Sequence, residues 1–154
     1  FAADLGWAFL EGDDFHPAAN VAKLKKGIAL TPADRRPWLS GLAAKIDELL
    51  LAKRSAVFSC SALQRGYRDI IIGNRRHVAL VYLKGSYDLI MRRLEGRHGH
   101  FMPASLLKSQ FDTLEEPAPD EHPIVAEIAL TPPEICAVIM RQLEMRFGAH
   151  RRSA

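Results

Sequence analysis

The chain has 154 residues and a formal net charge of +3, with 48% hydrophobic and 25% charged residues. These values suit one globular domain, and no apolar run approaches the roughly 20 residues that span a bilayer, so we expect no membrane association. The basic residues form no dense face with interleaved aromatics, which argues against nucleic-acid binding. Cys60 and Cys136 make no C-x-x-C pair, and we therefore expect a reducing, cytoplasmic environment.

Short β-branched or aromatic runs alternate with segments of helical periodicity. Four runs are typical of buried strands: Trp7–Glu11, Ala56–Cys60, His77–Leu83 and Ile124–Leu130. Three helices are predicted from a capping residue and a periodic segment: Thr31 before a helix through Leu42–Lys53, Ser86 before Tyr87–Glu95, and Thr131 before Ile135–Phe147. This alternation predicts an α/β fold with a mainly parallel sheet.

One segment, Gly96–Pro123, breaks the alternation. It contains glycines, prolines, basic residues and a short helical stretch, but no predicted strand. An insertion of this length in a compact domain is either disordered or functional, and a lid over an active site is the common functional case.

The sequence "EGDDFHP", Glu11–Pro17, gathers three carboxylates and a histidine directly after the first predicted strand. Ligands of open parallel sheets bind at the carboxyl ends of strands, so Asp13 or Asp14 could project into a cleft. A carboxylate there can accept a proton from a substrate hydroxyl or help to hold a metal ion. Alternatively, these residues cap the helix that begins at "HPAANVAKLKK" and face solvent.

Three longer stretches carry a family resemblance: "GDDFHPAANVAKLKKGIALTPADRRPWL", "CSALQRGYRD" and "VYLKGSYDLIMRRLEGRHGHFMPASLLKSQFDTLEEP". Together they make nearly the whole chain similar to the gluconate kinase family of small P-loop kinases. The resemblance implies ATP-dependent phosphorylation of D-gluconate at its 6-hydroxyl, with Mg²⁺ accompanying ATP. It also implies a three-layer fold, in which helices flank a parallel sheet and about residues 96–123 form a lid. Relatives of this family further suggest a homodimer.

The resemblance assigns roles to individual residues. Asp13 matches the carboxylate that faces the sugar-acid hydroxyl and is the candidate general base, and His16 matches a histidine of the substrate pocket. The alternative for His16 is a helix-start residue bonded to the backbone. Arg68 looks like the arginine that binds the gluconate carboxylate; the alternative is a surface arginine paired with Asp69 or another acid. Gln110 would reach the substrate when the lid closes.

Arginines of the lid are expected to lie over the ATP phosphates, because phosphoryl transfer is catalysed mainly by positioning and charge stabilisation. Arg97 is the first candidate for this catalytic role, and Arg93, one helical turn earlier, is the second. Glu11 occupies a position where many members of the family carry aspartate. The longer side chain keeps the charge, and whether Glu11 contacts Mg²⁺ is left open at this stage. His98 and His100 are a weak zinc signal without a nearby cysteine cluster.

The largest departure from the family pattern is at the N-terminal end of the chain. The family's phosphate-binding loop, G-x-x-x-x-G-K-[ST], does not occur in the 154 residues, and "FAADLGW" looks like the end of the helix that follows it. We therefore expect residues 1–154 to be a single kinase domain, truncated at the N-terminus, that lacks the first, central strand and binds ATP poorly. The alternatives are phosphorylation of another sugar acid or a shikimate-like acid, or an inactive loopless relative that binds a sugar acid or a partner protein.

Overall fold

The computed structural model describes residues 1–96 and 106–148. Within them the apolar runs form four short strands: β1 (Ala8–Glu11), β2 (Ala56–Ser59), β3 (Val81–Lys84) and β4 (Ile124–Glu127). The helical segments form α1 (Ala18–Lys25), α2 (Pro32–Leu51), α3 (Arg65–Ile71), α4 (Tyr87–Glu95), α5 (Leu107–Thr113) and α6 (Pro132–Phe147). The predicted α/β organisation is therefore confirmed.

The strands associate as two parallel pairs. In the first pair Ala8 of β1 lies opposite Ala56 of β2, and in the second Val81 of β3 lies opposite Ile124 of β4. Parallel neighbours need a crossover connection, which α1 and α2 provide for the first pair and α4 and α5 for the second. Among residues 1–96 and 106–148, no strand joins the two pairs into one sheet.

All four strands are shorter than predicted, and the two predicted over residues 77–83 and 124–130 differ most. The hydrogen bonds between these two segments begin with Ile124 N to Leu80 O (2.8 Å) and end with Ile128 N to Lys84 O (2.8 Å), after which the chain turns. The apolar run extends beyond the ladder because apolar character alone does not mark where a strand's partner starts and stops.

The helices begin at the predicted capping residues. At α2 the hydroxyl of Thr31 accepts a hydrogen bond from Asp34 N (3.2 Å), while the Asp34 carboxylate accepts one from Thr31 N (3.0 Å). At α6 Thr131 N donates to Glu134 Oε2 (2.8 Å), and Ser86 caps α4. No helix in the described part of the chain is long and apolar enough to cross a lipid bilayer.

The hydrophobic core is divided in the same way as the strands. One cluster lies between α2, α3 and the β1–β2 pair; its buried members are Trp38, Leu39, Leu42, Ile46, Tyr67 and Ile71. A second cluster joins β4 to α6 through Ile124, Ala126 and Ile139. Trp38 is 0% exposed, as expected for a core residue, and it directly supports the segment that follows β1.

Candidate functional site

The segment after β1 makes a tight turn at Gly12, the one residue type that fits there. A Cβ atom at this position would collide with the carbonyl oxygen of Ser59 at the end of β2. Trp38 Nε1 donates to the carbonyl oxygen of Gly12 (2.7 Å), which fixes the turn against α2. The turn places Asp13 and His16 at the carboxyl end of β1, the edge where parallel α/β sheets bind ligands.

Asp13 and His16 share one pocket with side chains from four other parts of the chain. These parts are α1 with the loop after it, α2, the segment after β2, and α5 with the residue before it. The lining residues are Asp13, His16, Leu24, Ala29, Leu30, Arg35, Ser61, Leu106, Ser109 and Gln110. A carboxylate, an imidazole, a guanidinium and several hydroxyl or amide groups therefore face a common space.

The start of α5 is attached to the pocket by a small apolar cluster. Leu106 packs with Leu24 and Leu30, and all three side chains are buried. Ser109 and Gln110 of α5 also line a neighbouring pocket that reaches Tyr67. The segment predicted to cover the site thus supplies one wall of it, and the predicted site residue Gln110 lies in the same pocket as Asp13 and His16.

His16 is held face to face with Trp38. The ring centroids are 4.3 Å apart and the planes are inclined by 20°. The imidazole side chain is only 4% exposed, and its Nε2 atom lies 3.9 Å from Asp13 Oδ1. Burial, with a smaller contribution from the positive charge of Arg35, lowers the pKa of His16 from 6.5 to about 4. His16 is therefore neutral at pH 7.

Arg35 is a pocket residue that the sequence analysis missed. Its Nε atom donates to Leu30 O (3.4 Å), and its guanidinium carbon lies 5.6 Å from the centre of the Tyr67 ring. Helical spacing could have identified Arg35 from the sequence, because it lies three residues before Trp38 on the same side of α2. Residues on that side face either the core or the pocket that the core supports.

Arg68 is not among the described residues that line this pocket. Its side chain is 4% exposed, and Nε and Nη2 donate to the two carboxylate oxygens of Glu121 at 2.6 and 2.8 Å. Nη1 donates to the carbonyl oxygens of Ala62, Leu63 and Glu115 at 2.9 to 3.3 Å. These bonds hold the guanidinium in place in the structure, and the predicted contact of Arg68 with a substrate carboxylate stays a prediction.

Further contacts make Arg68 part of a larger group that we call the Arg68–Glu121 cluster. Arg65 N donates to Glu115 Oε2 (2.7 Å), and the Arg65 guanidinium contacts Asp120 (2.7 Å). The cluster, formed by Arg65, Arg68, Glu115, Asp120 and Glu121, ties the start of α3 to the segment before β4. Of the predicted alternatives for Arg68, pairing with a nearby acid is observed, although the pair is buried rather than on the surface.

The other predicted residues lie outside the pocket or outside the described ranges. Glu11 is exposed at the end of β1, where its carboxylate accepts a hydrogen bond from the Ser59 hydroxyl. Arg93 Nη2 donates to Ile128 O (2.7 Å), and it is not among the described lining residues. Arg97 lies outside the described residues.

The metal predictions concern Glu11 and two histidines. In residues 1–96 and 106–148 no group of three His, Cys, Asp or Glu side chains could hold a metal ion. His98 and His100 lie outside these ranges. Mg²⁺ that arrives with a nucleotide needs few protein ligands, because phosphates and water fill most of its coordination sites. Contact of Glu11 with such an ion stays a prediction.

The chain is similar to several characterised proteins. It is 43% identical over 148 residues to the gluconokinase of Gluconobacter oxydans, covering 96% of this chain and 81% of that protein. It is 44% identical over 124 residues to the thermosensitive gluconokinase of Escherichia coli, covering 80% of this chain and 66% of that protein. No family model matches the chain.

Solved structures give the same result. A gluconokinase from Sinorhizobium meliloti superimposes with a TM-score of 0.78 at 39% identity, covering 97% of this chain and 86% of that one. A sugar kinase from a Janibacter species superimposes with a TM-score of 0.84 at 41% identity, covering 96% and 85%. Identity at this level extends over most of both chains, and so the protein described here belongs to the gluconokinase family.

Proposed function

We propose that this protein transfers the γ-phosphoryl group of ATP to the 6-hydroxyl of D-gluconate, giving 6-phosphogluconate. The observation that carries the proposal is the shared pocket of Asp13, His16 and Arg35 at the carboxyl end of β1, in a chain of the gluconokinase family. These three groups match a substrate that has a hydroxyl to deprotonate, further hydroxyls to hydrogen-bond and a carboxylate to pair.

Asp13 is the proposed general base. Its side chain is 22% exposed and belongs to the turn that Gly12 and Trp38 fix, so its carboxylate is accessible yet held in place. As the 6-hydroxyl attacks the γ-phosphorus, its proton passes to the Asp13 carboxylate and the bond from γ-phosphorus to the bridging oxygen of ADP breaks. His16, being neutral, is suited to hydrogen-bond a substrate hydroxyl.

Arg35 is the proposed partner of the gluconate carboxylate, in place of Arg68. A guanidinium can bind a carboxylate through two parallel hydrogen bonds. The contacts of Arg35 with Leu30 and Tyr67 orient its side chain within the pocket. Gln110, which lines the same pocket, is a proposed contact for the sugar hydroxyls.

The ATP side of the site is proposed from the family alone. Mg²⁺ would neutralise charge on the phosphates, and Glu11 is the residue that we propose to contact it. A phosphate-binding strand and loop would lie between the β1–β2 and β3–β4 pairs, a location supported by the separation of those pairs. The same proposal includes a lid formed by about residues 96–123, with Arg97 and Arg93 above the phosphates. It also includes a cytoplasmic location and a homodimer.

Substituting Asp13 by asparagine, in a chain that also carries the family's phosphate-binding strand and loop, tests the mechanism. We expect kcat to fall by about 10² to 10⁴-fold, the usual contribution of a general base, while gluconate binding measured by calorimetry changes little. The assay couples ADP formation to a dye and compares gluconate with other sugar acids and a shikimate-like acid. Near-normal turnover of Asp13→Asn would remove Asp13 from this role. Gluconate binding without any effect of ATP, in the chain with the phosphate-binding strand and loop restored, would favour a non-catalytic sugar-acid binder.

A further inference from the structure

Asn20 is a buried polar side chain next to the pocket that the reaction itself does not require. It lies on α1, is 3% exposed, and donates from its amide nitrogen to the carbonyl oxygen of Asp34 at 2.7 Å. The same nitrogen lies 3.4 Å from Nδ1 of His16. Asn20 therefore links the start of α2 to the imidazole that faces the substrate pocket.

This geometry determines which ring nitrogen of His16 carries the proton. A carbonyl oxygen can only accept, so the amide group of Asn20 must present its NH₂ side, not its oxygen, to Asp34. The amide nitrogen has two hydrogens, and the second is available for His16 Nδ1. Nδ1 must then offer its lone pair, because an N–H there would face another N–H. With the ring neutral, the single proton is on Nε2.

We propose that Asn20 is a positioning residue that holds His16 as the neutral Nε2–H tautomer, with this N–H directed toward Asp13. In residues 1–96 and 106–148, the charged groups that face the ring are the Asp13 carboxylate on its own turn and the Arg35 guanidinium on α2. Asp34 reaches Asn20 through its backbone, while its carboxylate is bound by Lys23.

The consequence is a division of roles between neighbouring residues. Nε2 lies 3.9 Å from Asp13 Oδ1 and holds a hydrogen, so it can donate to a substrate oxygen near Asp13 but cannot receive a proton. Proton acceptance is left to Asp13. If Asn20 did not impose this tautomer, Nε2 could present a lone pair to the substrate hydroxyl and compete with Asp13 for the same hydrogen.

The direct test is long-range ¹H–¹⁵N NMR of wild-type protein labelled at histidine, with the His16 signals assigned by their loss in His16→Gln. At pH 7 we expect the pattern of an unprotonated Nδ1 and a protonated Nε2, unchanged down to about pH 5. An Nδ1–H pattern, or titration near pH 6.5, would overturn the proposal. This measurement needs no variant of Asn20 and no turnover.

The role of Asn20 itself is tested with Asn20→Asp, which keeps the shape but replaces the donor by an acceptor. We expect His16 to change to Nδ1–H or imidazolium, its pKa to rise, and the acid limb of the kcat/KM profile to move to higher pH. Asn20→Ala should lower kcat about tenfold, in line with the loss of one hydrogen bond, with little change in the KM for gluconate.

The effect on catalysis rests on the proposed gluconate phosphorylation, whereas the tautomer does not. Absence of turnover by a chain that also carries the family's phosphate-binding strand and loop would refute the function and leave the NMR result standing. A spectrum of folded Asn20→Asp or Asn20→Ala identical to that of the wild type would refute the role of Asn20 even if the enzyme is active. Circular dichroism establishes that each variant is folded before its spectrum is interpreted.

Discussion

Arg35 and Arg68 are both oriented by hydrogen bonds, but of the two only Arg35 lines the pocket with Asp13 and His16. Removing the Arg35 side chain should therefore weaken gluconate binding directly. Hydrogen bonds to charged groups contribute about 1.5–3 kcal/mol, so Arg35→Ala should raise the KM for gluconate by about 10- to 100-fold. Steady-state kinetics with gluconate at saturating ATP measure this effect.

Arg35→Lys is the matched control, because lysine keeps the charge but cannot bind a carboxylate through a planar fork. We expect it to recover part of the loss. A neutral polyol of the same length, tested at high concentration, should lose little affinity in Arg35→Ala. Equal losses for gluconate and the polyol would show that Arg35 supports the pocket without pairing with the carboxylate.

At the scale of elements, the position of the turn after β1 depends on how closely β1 approaches the end of β2. Gly12→Ala would force the Ser59 carbonyl and the turn apart, and overpacking of this kind costs about 1–3 kcal/mol. Because the same movement displaces Asp13, we expect the free energy of unfolding and kcat to fall together. Urea denaturation and the coupled assay measure the two quantities.

The chain offers a matched glycine elsewhere. Gly66 lies in α3, and a Cβ there would meet no atom within 4 Å. Gly66→Ala should keep full activity and raise stability by up to about 1 kcal/mol, the usual helix preference for alanine. If Gly12→Ala behaved like Gly66→Ala, the close approach of the two strands would not control the site.

At the scale of the whole molecule, the Arg68–Glu121 cluster connects two halves, one built on the β1–β2 pair and the other on the β3–β4 pair. In the described ranges the β1–β2 and β3–β4 pairs share no ladder, while Arg68 on the first half holds Glu121 just before β4. Arg68→Met would leave a buried carboxylate without its partner, so we expect a loss of about 3 kcal/mol in stability. Calorimetric unfolding measures it, and the KM for gluconate should change far less than in Arg35→Ala.

The stabilisation that the Arg68–Glu121 pair provides should depend on pH with a definite sign. The hydrogen bonds from Arg68 hold the pKa of Glu121 below its ordinary value of 4.5. The stabilising contribution is therefore fully present above pH 4.5 and is lost as the pH falls through the lowered pKa. The difference in unfolding free energy between wild type and Arg68→Met should shrink below pH 4.5; a difference that stays constant would exclude ionisation of Glu121 as its source.

The roles of Arg35 and Arg68 show what the sequence can and cannot predict. Local patterns such as strand runs and helix caps depend on neighbouring residues, and they led correctly to the α/β fold. Asp13 and His16, which line one pocket, were singled out by the family resemblance, because local spacing alone left a capping role open. Arg68 pairs with a residue 53 positions away, a contact that no local pattern contains. Arg35 could have been predicted from the helical spacing of α2, because it lies three residues before Trp38, which marks the buried side of the helix.

The contact between His16 and Trp38 also gives the molecule a built-in optical probe. Trp38 is one of two tryptophans in the chain, and its indole lies flat against a ring that borders the pocket. With Trp7 replaced by phenylalanine and the indole excited selectively over the tyrosines, the emission would come from a single tryptophan that contacts the site. Entry of a sugar acid, or addition of a proton to the neighbouring ring, could then be followed in real time without any attached dye.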